Sequence, residues 1–120
     1  MSVSEDFNVA FQELQPDLIL SSVESLGYQT DGRLLALNSY ENRVYRVGLE
    51  GRAPLVAKFY RPGRWSDEAI LEEHAISSDL AREEIPVVAP IAHDGRTLHD
   101  NGTFRFAVYP CLGGRAPELD

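Results

Sequence analysis

Apolar positions recur at helical spacing in two stretches of the chain. The first, residues 16–27, opens with a proline and closes with a glycine, which suit the first turn and the end of a helix. The second, residues 67–82, follows Ser66, a residue type typical of an N-cap, and begins with two acidic residues. The pattern therefore predicts one short N-terminal helix and one long helix in the middle of the chain.

Strand-like segments come between and after these helices. Residues 33–38, 43–49 and 55–60 are rich in β-branched, aliphatic and aromatic side chains. The run EGRAP, residues 50–54, is predicted to break the chain before the third of them. The order of the elements predicts an α+β fold, an antiparallel sheet of about five strands with the long helix packed on one face, plus the short N-terminal helix.

The last third of the chain carries two hairpin signals. Asp94-Gly95 and Asn101-Gly102 are dipeptides that favour tight two-residue turns. Residues 104–109 then alternate between apolar side chains at even positions and Arg105, Ala107 and Tyr109 at odd positions. This alternation predicts a half-buried strand.

The long helix contains two adjacent carboxylates near its predicted buried side. At about 100° per residue, Ala69, Ile76 and Leu80 fall on one stripe, which we expect to face the sheet. Glu73 lies about 40° from the centre of that stripe and Glu72 about 60° away on its other side. We therefore expect Glu73 to point inward more than Glu72.

Composition and charge limit the classes of function. The 120 residues carry a formal net charge of -8, which argues against nucleic acid and anionic membranes as partners. Residues 1–32 contain no basic residue, no apolar run is long enough to span a bilayer, and the one cysteine, Cys111, has no partner in the chain. We expect a cytoplasmic protein with a flexible terminus at 1–10 and one domain at 11–120.

Lys58 is the only lysine of the chain and lies in the third predicted strand. Alternation places Val56, Lys58 and Tyr60 on one face of that strand. Composition alone favours an edge lysine whose ammonium group reaches water. The alternative is an anion-binding lysine that pairs with a helix carboxylate and faces the loop at 38–42, although this loop is in isolation an ordinary hairpin.

The order of these features carries a family resemblance. The blocks LLALNSYENRVYRVG, PLVAKFYRPGRWSDEAILEEH, IPVVAP and FRFAVYPCLGGRAPELD resemble the stress response kinase A family, from about residue 11 to residue 120. These are bacterial serine/threonine protein kinases of the aminoglycoside-phosphotransferase-like superfamily. The resemblance implies the ATP-binding N-terminal lobe of a kinase, ending just past the hinge.

The resemblance also implies a role for individual residues. Lys58 would contact the ATP phosphates, and Glu73, or as second choice Glu72, would hold it. The other implied nucleotide contacts are Ser39 in the phosphate loop, Val44 and Val56 against the nucleotide, and the hinge backbone at Cys111 or Leu112. Pro110, within the hinge, has no N–H to donate.

Two departures qualify this expectation. The loop at 38–42 contains no glycine, and neither His93-Asp94 nor His99-Asp100 is followed by the asparagine of a kinase catalytic loop. The general base and the Mg²⁺ ligands are expected in a C-terminal lobe that this chain lacks, so the chain alone should be inactive. The full-length protein is expected to be a monomer that phosphorylates protein serine or threonine. The alternatives are a non-catalytic binding module and the N-terminal lobe of a small-molecule phosphotransferase.

Overall fold

The computed structural model describes residues 14–37, 42–63, 65–83 and 88–111. The predicted positions Ser39 and Leu112 and the predicted flexible terminus at 1–10 lie outside these residues. The helices and strands, in chain order, are α1 Pro16–Glu24, β1 Thr30–Leu37, β2 Arg43–Leu49, β3 Arg52–Phe59, α2 Asp67–Arg82, β4 His99–Asp100 and β5 Arg105–Pro110.

The five strands form one antiparallel sheet in the order β1-β2-β3-β5-β4. The predicted α+β fold, with one long and one short helix, is confirmed. Ser66 caps α2 as predicted, because its side chain accepts a hydrogen bond from the backbone N–H of Ala69 at 3.1 Å. β3 occupies the middle of the sheet, so its side chains have neighbouring strands on both sides.

The break predicted before β3 is shorter than expected. Only Glu50 and Gly51 form the turn, and β3 already begins at Arg52 with Pro54 inside it. Pro54 is tolerated because it lies in the register shift of the β2–β3 ladder and beyond the last pair between β3 and β5. Neither neighbouring strand therefore requires an N–H group from this position.

Both predicted hairpin turns in the last third of the chain are present, the first as predicted and the second one residue later. Asp94 and Gly95 have φ values of 54° and 76°, and the backbones of His93 and Arg96 exchange hydrogen bonds of 2.8 and 3.0 Å across them. The second turn connects β4 to β5: the Asn101 N–H donates to the Phe104 carbonyl at 3.0 Å, so the central residues are Gly102, with a φ of 97°, and Thr103. These turns place residues 93–100 beside β5.

The two helices cover opposite faces of the sheet. On one face, Ile19 and Val23 of α1 pack with side chains of β3 and β5, including Phe59, Phe106 and Val108. On the other face, Ile70 of α2 packs with a second buried cluster, Tyr60 and Ala107. The centre of β5 is therefore buried on both faces, and the half-buried pattern predicted for this strand does not hold at Ala107, which is 0% exposed.

The buried side of α2 differs from the predicted stripe. Ile70 and His74 are the buried residues of this helix, whereas Ala69 is exposed and Ile76 is 55% exposed. The predicted stripe is wrong because one of the two inward residues is a histidine, and apolar periodicity does not identify a histidine as buried. The helix is rotated relative to the prediction, and this rotation decides where its carboxylates lie.

Candidate functional site

A cleft of about 550 Å³ lies between the sheet and α2, on the face opposite α1. Cross-strand pairing places Val56 and Lys58 of β3 beside Tyr109 and Ala107 of β5 on this face. The cleft is lined by residues of the sheet, of α2, of the segment between α2 and β4 and of the segment that leaves β5: Leu37, Arg46, Val56, Lys58, Glu73, Ser77, Val88, Tyr109, Pro110 and Cys111.

Lys58 occupies the middle of the central strand. Its cross-strand partners are Val44 on β2 and Ala107 on β5, so it is not the edge lysine that composition favoured. Its Nζ lies 5.2 Å from the centre of the Tyr60 ring, a cation–π contact. Lys58 forms no ion pair within the part of the chain that the structure describes, so its half-buried ammonium group can accept an anion.

Glu73 lies on the Lys58 side of α2, and Glu72 does not. Glu73 and Lys58 line the cleft together and also share a smaller recess of about 170 Å³ beside it. Glu72 lies about 160° around the helix from both buried residues of α2, so it faces away from the sheet. Of the two carboxylates, the geometry supports Glu73 as the one that can meet Lys58. The reason is the observed buried side of α2 and not the predicted stripe.

The opposite end of the cleft is mainly apolar and has Arg46 of β2 at its border, beside Val56. Val56 pairs with Tyr109, and Pro110 and the half-buried Cys111 follow at the end of β5. Val44 lies on the same face of the sheet, opposite Lys58 in register, but it is not part of the cleft wall. The structure thus brings Val56, Lys58, Glu73 and Cys111 together in one cleft, and Ser39 and Leu112 lie outside the described residues.

Sequence reasoning missed several wall residues, chiefly Arg46 and Leu37. Arg46 pairs with Val56 across the β2–β3 ladder, and Leu37 pairs with Val44 across the β1–β2 ladder. Alternation along β2 and β1 shows which of their side chains share a face, but only the register of the two ladders places Arg46 and Leu37 beside Val56 and Val44. Ser77, which lies one turn after Glu73 on α2, follows from the helical period.

A buried histidine next to Glu73 was also missed. His74 is 3% exposed, its Nε2 lies 3.0 Å from the Tyr60 hydroxyl, and its Nδ1 lies 2.7 Å from the Thr97 hydroxyl. Burial lowers the pKa of His74, the Lys58 charge acts in the same direction, and Glu73 opposes it. No sequence signal marked this residue, because its partners are distant in the chain.

The hydroxyl groups around His74 also remain protonated at neutral pH. Burial raises the pKa of Tyr60 above its usual range, and a hydrogen-bonded contact with Tyr109 adds to the shift. Burial likewise raises the pKa of Tyr109. A connected set of neutral hydrogen-bonding groups therefore joins α2 to β5 and to the end of β3 behind Lys58.

Two further observations concern metals and membranes. Across the described ranges, no group of three or more His, Cys, Asp or Glu side chains is arranged to hold a metal ion. Neither helix in these ranges has the length and apolar character needed to cross a bilayer.

The fold and the cleft together indicate the class of protein to which the chain belongs. An antiparallel five-stranded sheet with a lysine on its central strand, facing a helix glutamate across a cleft, is typical of the smaller lobe of kinase-like phosphotransferases. The sequence profile of the Phosphotransferase enzyme family matches residues 33–119. The chain belongs to this family.

Individual relatives agree with the family assignment. The chain is 48% identical to stress response kinase A of Escherichia coli (strain K12) over 110 residues, which is 92% of this chain and 34% of the relative. It is 44% identical, over the same shares, to the serine/threonine protein kinase RdoA of Salmonella typhimurium. The predicted resemblance to the N-terminal part of stress response kinase A is confirmed. The chain spans about a third of the length of these relatives.

Proposed function

We propose that this lobe binds ATP in the cleft between the sheet and α2, as part of a kinase that phosphorylates protein serine or threonine. One observation carries the proposal: Lys58, on the central strand, and Glu73, on α2, face the same cleft. A lysine ammonium group is a compact cation that suits the oxygens of the α- and β-phosphates. The helix carboxylate orients that ammonium group.

The two ends of the cleft fit the two parts of ATP. The end near Lys58 and Glu73 is charged, whereas Val56, Tyr109 and Pro110 form a mainly apolar surface that suits an adenine ring, with Arg46 at its border. The volume of about 550 Å³ lies within the usual range of small-molecule sites. Cys111 follows the last residue of β5, where a backbone N–H can hydrogen-bond the base, since Pro110 has none to offer.

Phosphate transfer requires more than this cleft supplies. Among the described lining residues, Glu73 is the only carboxylate, and it is assigned to Lys58. These residues therefore leave no second carboxylate to act as general base, and the described ranges contain no cluster of three or more potential metal ligands for Mg²⁺. We infer that the chain alone binds ATP but transfers no phosphate. The serine/threonine acceptor is inferred from the name of the RdoA relative.

Calorimetric titration of the purified chain with ATP tests the proposal. Wild-type chain should bind ATP in the micromolar to millimolar range, and Lys58→Met should weaken binding at least roughly tenfold by removing a charge-assisted contact of about 1.5–3 kcal/mol. Arg82→Met is the matched control, because its exposed cation lies at the end of α2 and pairs with Asp79. Equal affinities for wild type and Lys58→Met would contradict the proposal.

A further inference from the structure

His74 is the one buried polar side chain of α2 within the described residues. Both of its ring nitrogens lie within hydrogen-bond distance of a hydroxyl oxygen, Tyr60 at one end and Thr97 at the other. A neutral imidazole has one donor and one acceptor nitrogen, so a single tautomer can satisfy both contacts at once. The side chain is therefore held from two directions, by the end of β3 and by the segment before β4.

One partner of His74, Tyr60, directly follows β3 and is attached to the sheet. The Tyr60 backbone N–H donates to the Arg105 carbonyl on β5 at 2.9 Å, and the Tyr60 side chain is 2% exposed. The His74 ring also contacts the Tyr109 ring edge-on, with centroids 6.5 Å apart. A helix residue whose ring is fixed in direction by such contacts limits rotation of the helix about its own axis.

The N-terminal end of α2 has a separate attachment. Arg105 on β5 forms an ion pair with Asp67 and donates to the Trp65 carbonyl at 2.8 Å. These contacts hold the start of the helix but lie about one and a half turns before Glu73. Within the described residues, His74 and Ile70 are the buried side chains that fix the rotation of the helix near Glu73.

The rotation of α2 decides the position of Glu73. Glu73 is the chain neighbour of His74 and projects about 100° around the helix from it. A rotation of about 20° moves a carboxylate that is roughly 6 Å from the helix axis by roughly 2 Å. Lys58 and Glu73 line one cleft without forming an ion pair in the described residues, so a displacement of that size decides whether the two groups can approach each other. The affinity of a site that both residues form should change with it.

We propose that His74 is a positioning residue, and that its hydrogen bonds to Tyr60 and Thr97 set the rotation of α2 that presents Glu73 to Lys58. The proposal rests on the function proposed above for the cleft. His74 touches neither the phosphates nor the base in this role, because it lies behind the wall of the cleft and is not part of its lining.

Thr97→Val is the decisive variant. It removes the hydroxyl that contacts His74 Nδ1 and keeps the β-branched shape, and Thr97 lines neither the cleft nor the recess. We expect ATP affinity to fall about three- to tenfold. Thr97→Ser, which restores the hydroxyl, should recover most of the affinity. If Thr97→Val does not fold, Tyr60→Phe removes the hydroxyl at the other ring nitrogen.

A second measurement does not depend on ATP. Lys58 is the only lysine in the sequence, so zero-length carbodiimide coupling followed by mass spectrometry reports the Lys58–Glu73 cross-link without interference from other lysines. We expect this cross-link in wild type, a several-fold lower yield in Thr97→Val and recovery in Thr97→Ser. Absence of ATP binding by wild type would contradict the proposed function, whereas the cross-link yields would still decide the role of His74.

Tyr28→Phe is the matched control for stability. It removes a hydroxyl that lies 2.7 Å from His93 Nε2, another tyrosine–histidine contact, and neither residue lines the cleft. Tyr28→Phe should lower the free energy of unfolding as the Thr97 variant does, with unchanged ATP affinity and cross-link yield. If Thr97→Val behaved in the same way as this control, His74 would have only a structural role and the proposal would be wrong.

Discussion

Lys58 and Ala107 are cross-strand partners in the middle of the sheet, where β3 and β5 lie under α2. A side chain as small as a methyl group thus stands beside the lysine of the cleft. Ala107 is 0% exposed and packs in the cluster that contains Tyr60 and Ile70. The small side chain lets α2 approach the sheet closely enough for Ile70 and His74 to be buried.

Enlarging this side chain should push α2 away from the sheet. We expect Ala107→Leu to lower the free energy of unfolding by about 1–3 kcal/mol, as overpacking does in a dense core. ATP affinity should fall as well, because Glu73 moves with the helix. Urea unfolding and ATP titration measure the two effects. Val108→Leu, the next residue on the opposite face, is the control, since it enlarges the α1 side of the core. Equal loss of affinity in both variants would contradict the argument.

The two carboxylates of α2 should differ in their effect on ATP binding. Glu73→Gln removes the charge that faces Lys58, so we expect ATP affinity to fall about three- to thirtyfold, equivalent to about 0.6–2 kcal/mol. Glu72→Gln removes an identical charge on the outward side of the same helix and should leave the affinity within about twofold. Calorimetry on both variants under one salt condition makes the comparison. If Glu72→Gln lowered ATP affinity more than Glu73→Gln, Glu72 and not Glu73 would be the partner of Lys58.

The start of α2 could be predicted from the sequence, whereas its buried face could not, and the two results have different physical causes. Capping at Ser66 and the turn dipeptides at 94–95 and 101–102 are local effects, and the sequence shows them directly. The inward position of His74 depends on a hydroxyl 23 residues away, so no local pattern reveals it. Apolar periodicity predicts that Ile76 faces the sheet, yet it is 55% exposed. Periodicity identifies a face, but tertiary hydrogen bonds determine which one is buried.

The site was only partly predictable for the same reason. Lys58 and Val56 follow from strand alternation once β3 is known, and the structure places both in the cleft. Arg46 and Leu37 enter the same wall from β2 and β1 through the register of the ladders, which a single sequence does not contain. The cleft depends on how the strands are aligned, whereas the lysine can be recognised from the sequence of one strand.

The carboxylate of Asp31 occupies the space next to Gly48 on β2. A Cβ added at Gly48 would lie 2.3 Å from Asp31 Oδ1, and Asp31 is held there by hydrogen bonds from the backbone and guanidinium of Arg33. We expect Gly48→Ala to lower the free energy of unfolding by about 1–3 kcal/mol. In an Asp31→Ala background the same substitution should cost clearly less, because the clashing group is gone. Urea unfolding of the four proteins in this double-mutant cycle measures the difference. If the two losses of stability were additive, the clash with Asp31 would not be the cause of the loss in Gly48→Ala.

Stability should decrease as the pH falls through the histidine range. Burial lowers the pKa of both His74 and His99 below the unfolded value of about 6.5. Between the folded and the unfolded pKa, the unfolded chain binds more protons, so the free energy of unfolding rises with pH in that window. The histidine contribution is therefore complete above about pH 6.5 and is lost progressively as the pH falls towards the lower folded pKa values.

Urea unfolding at several pH values between about 5 and 8 measures the slope of the free energy of unfolding against pH. This pH range lies above the ordinary pKa values of Asp and Glu side chains. We expect the slope to decrease in His74→Gln, which keeps hydrogen-bonding capacity without titrating, and to decrease further when His99→Asn is added. The Tyr28→Phe variant keeps both histidines and should retain the wild-type slope with a lower overall stability. If the double histidine variant kept the full slope, the pH dependence would have to come from groups other than these two buried imidazoles.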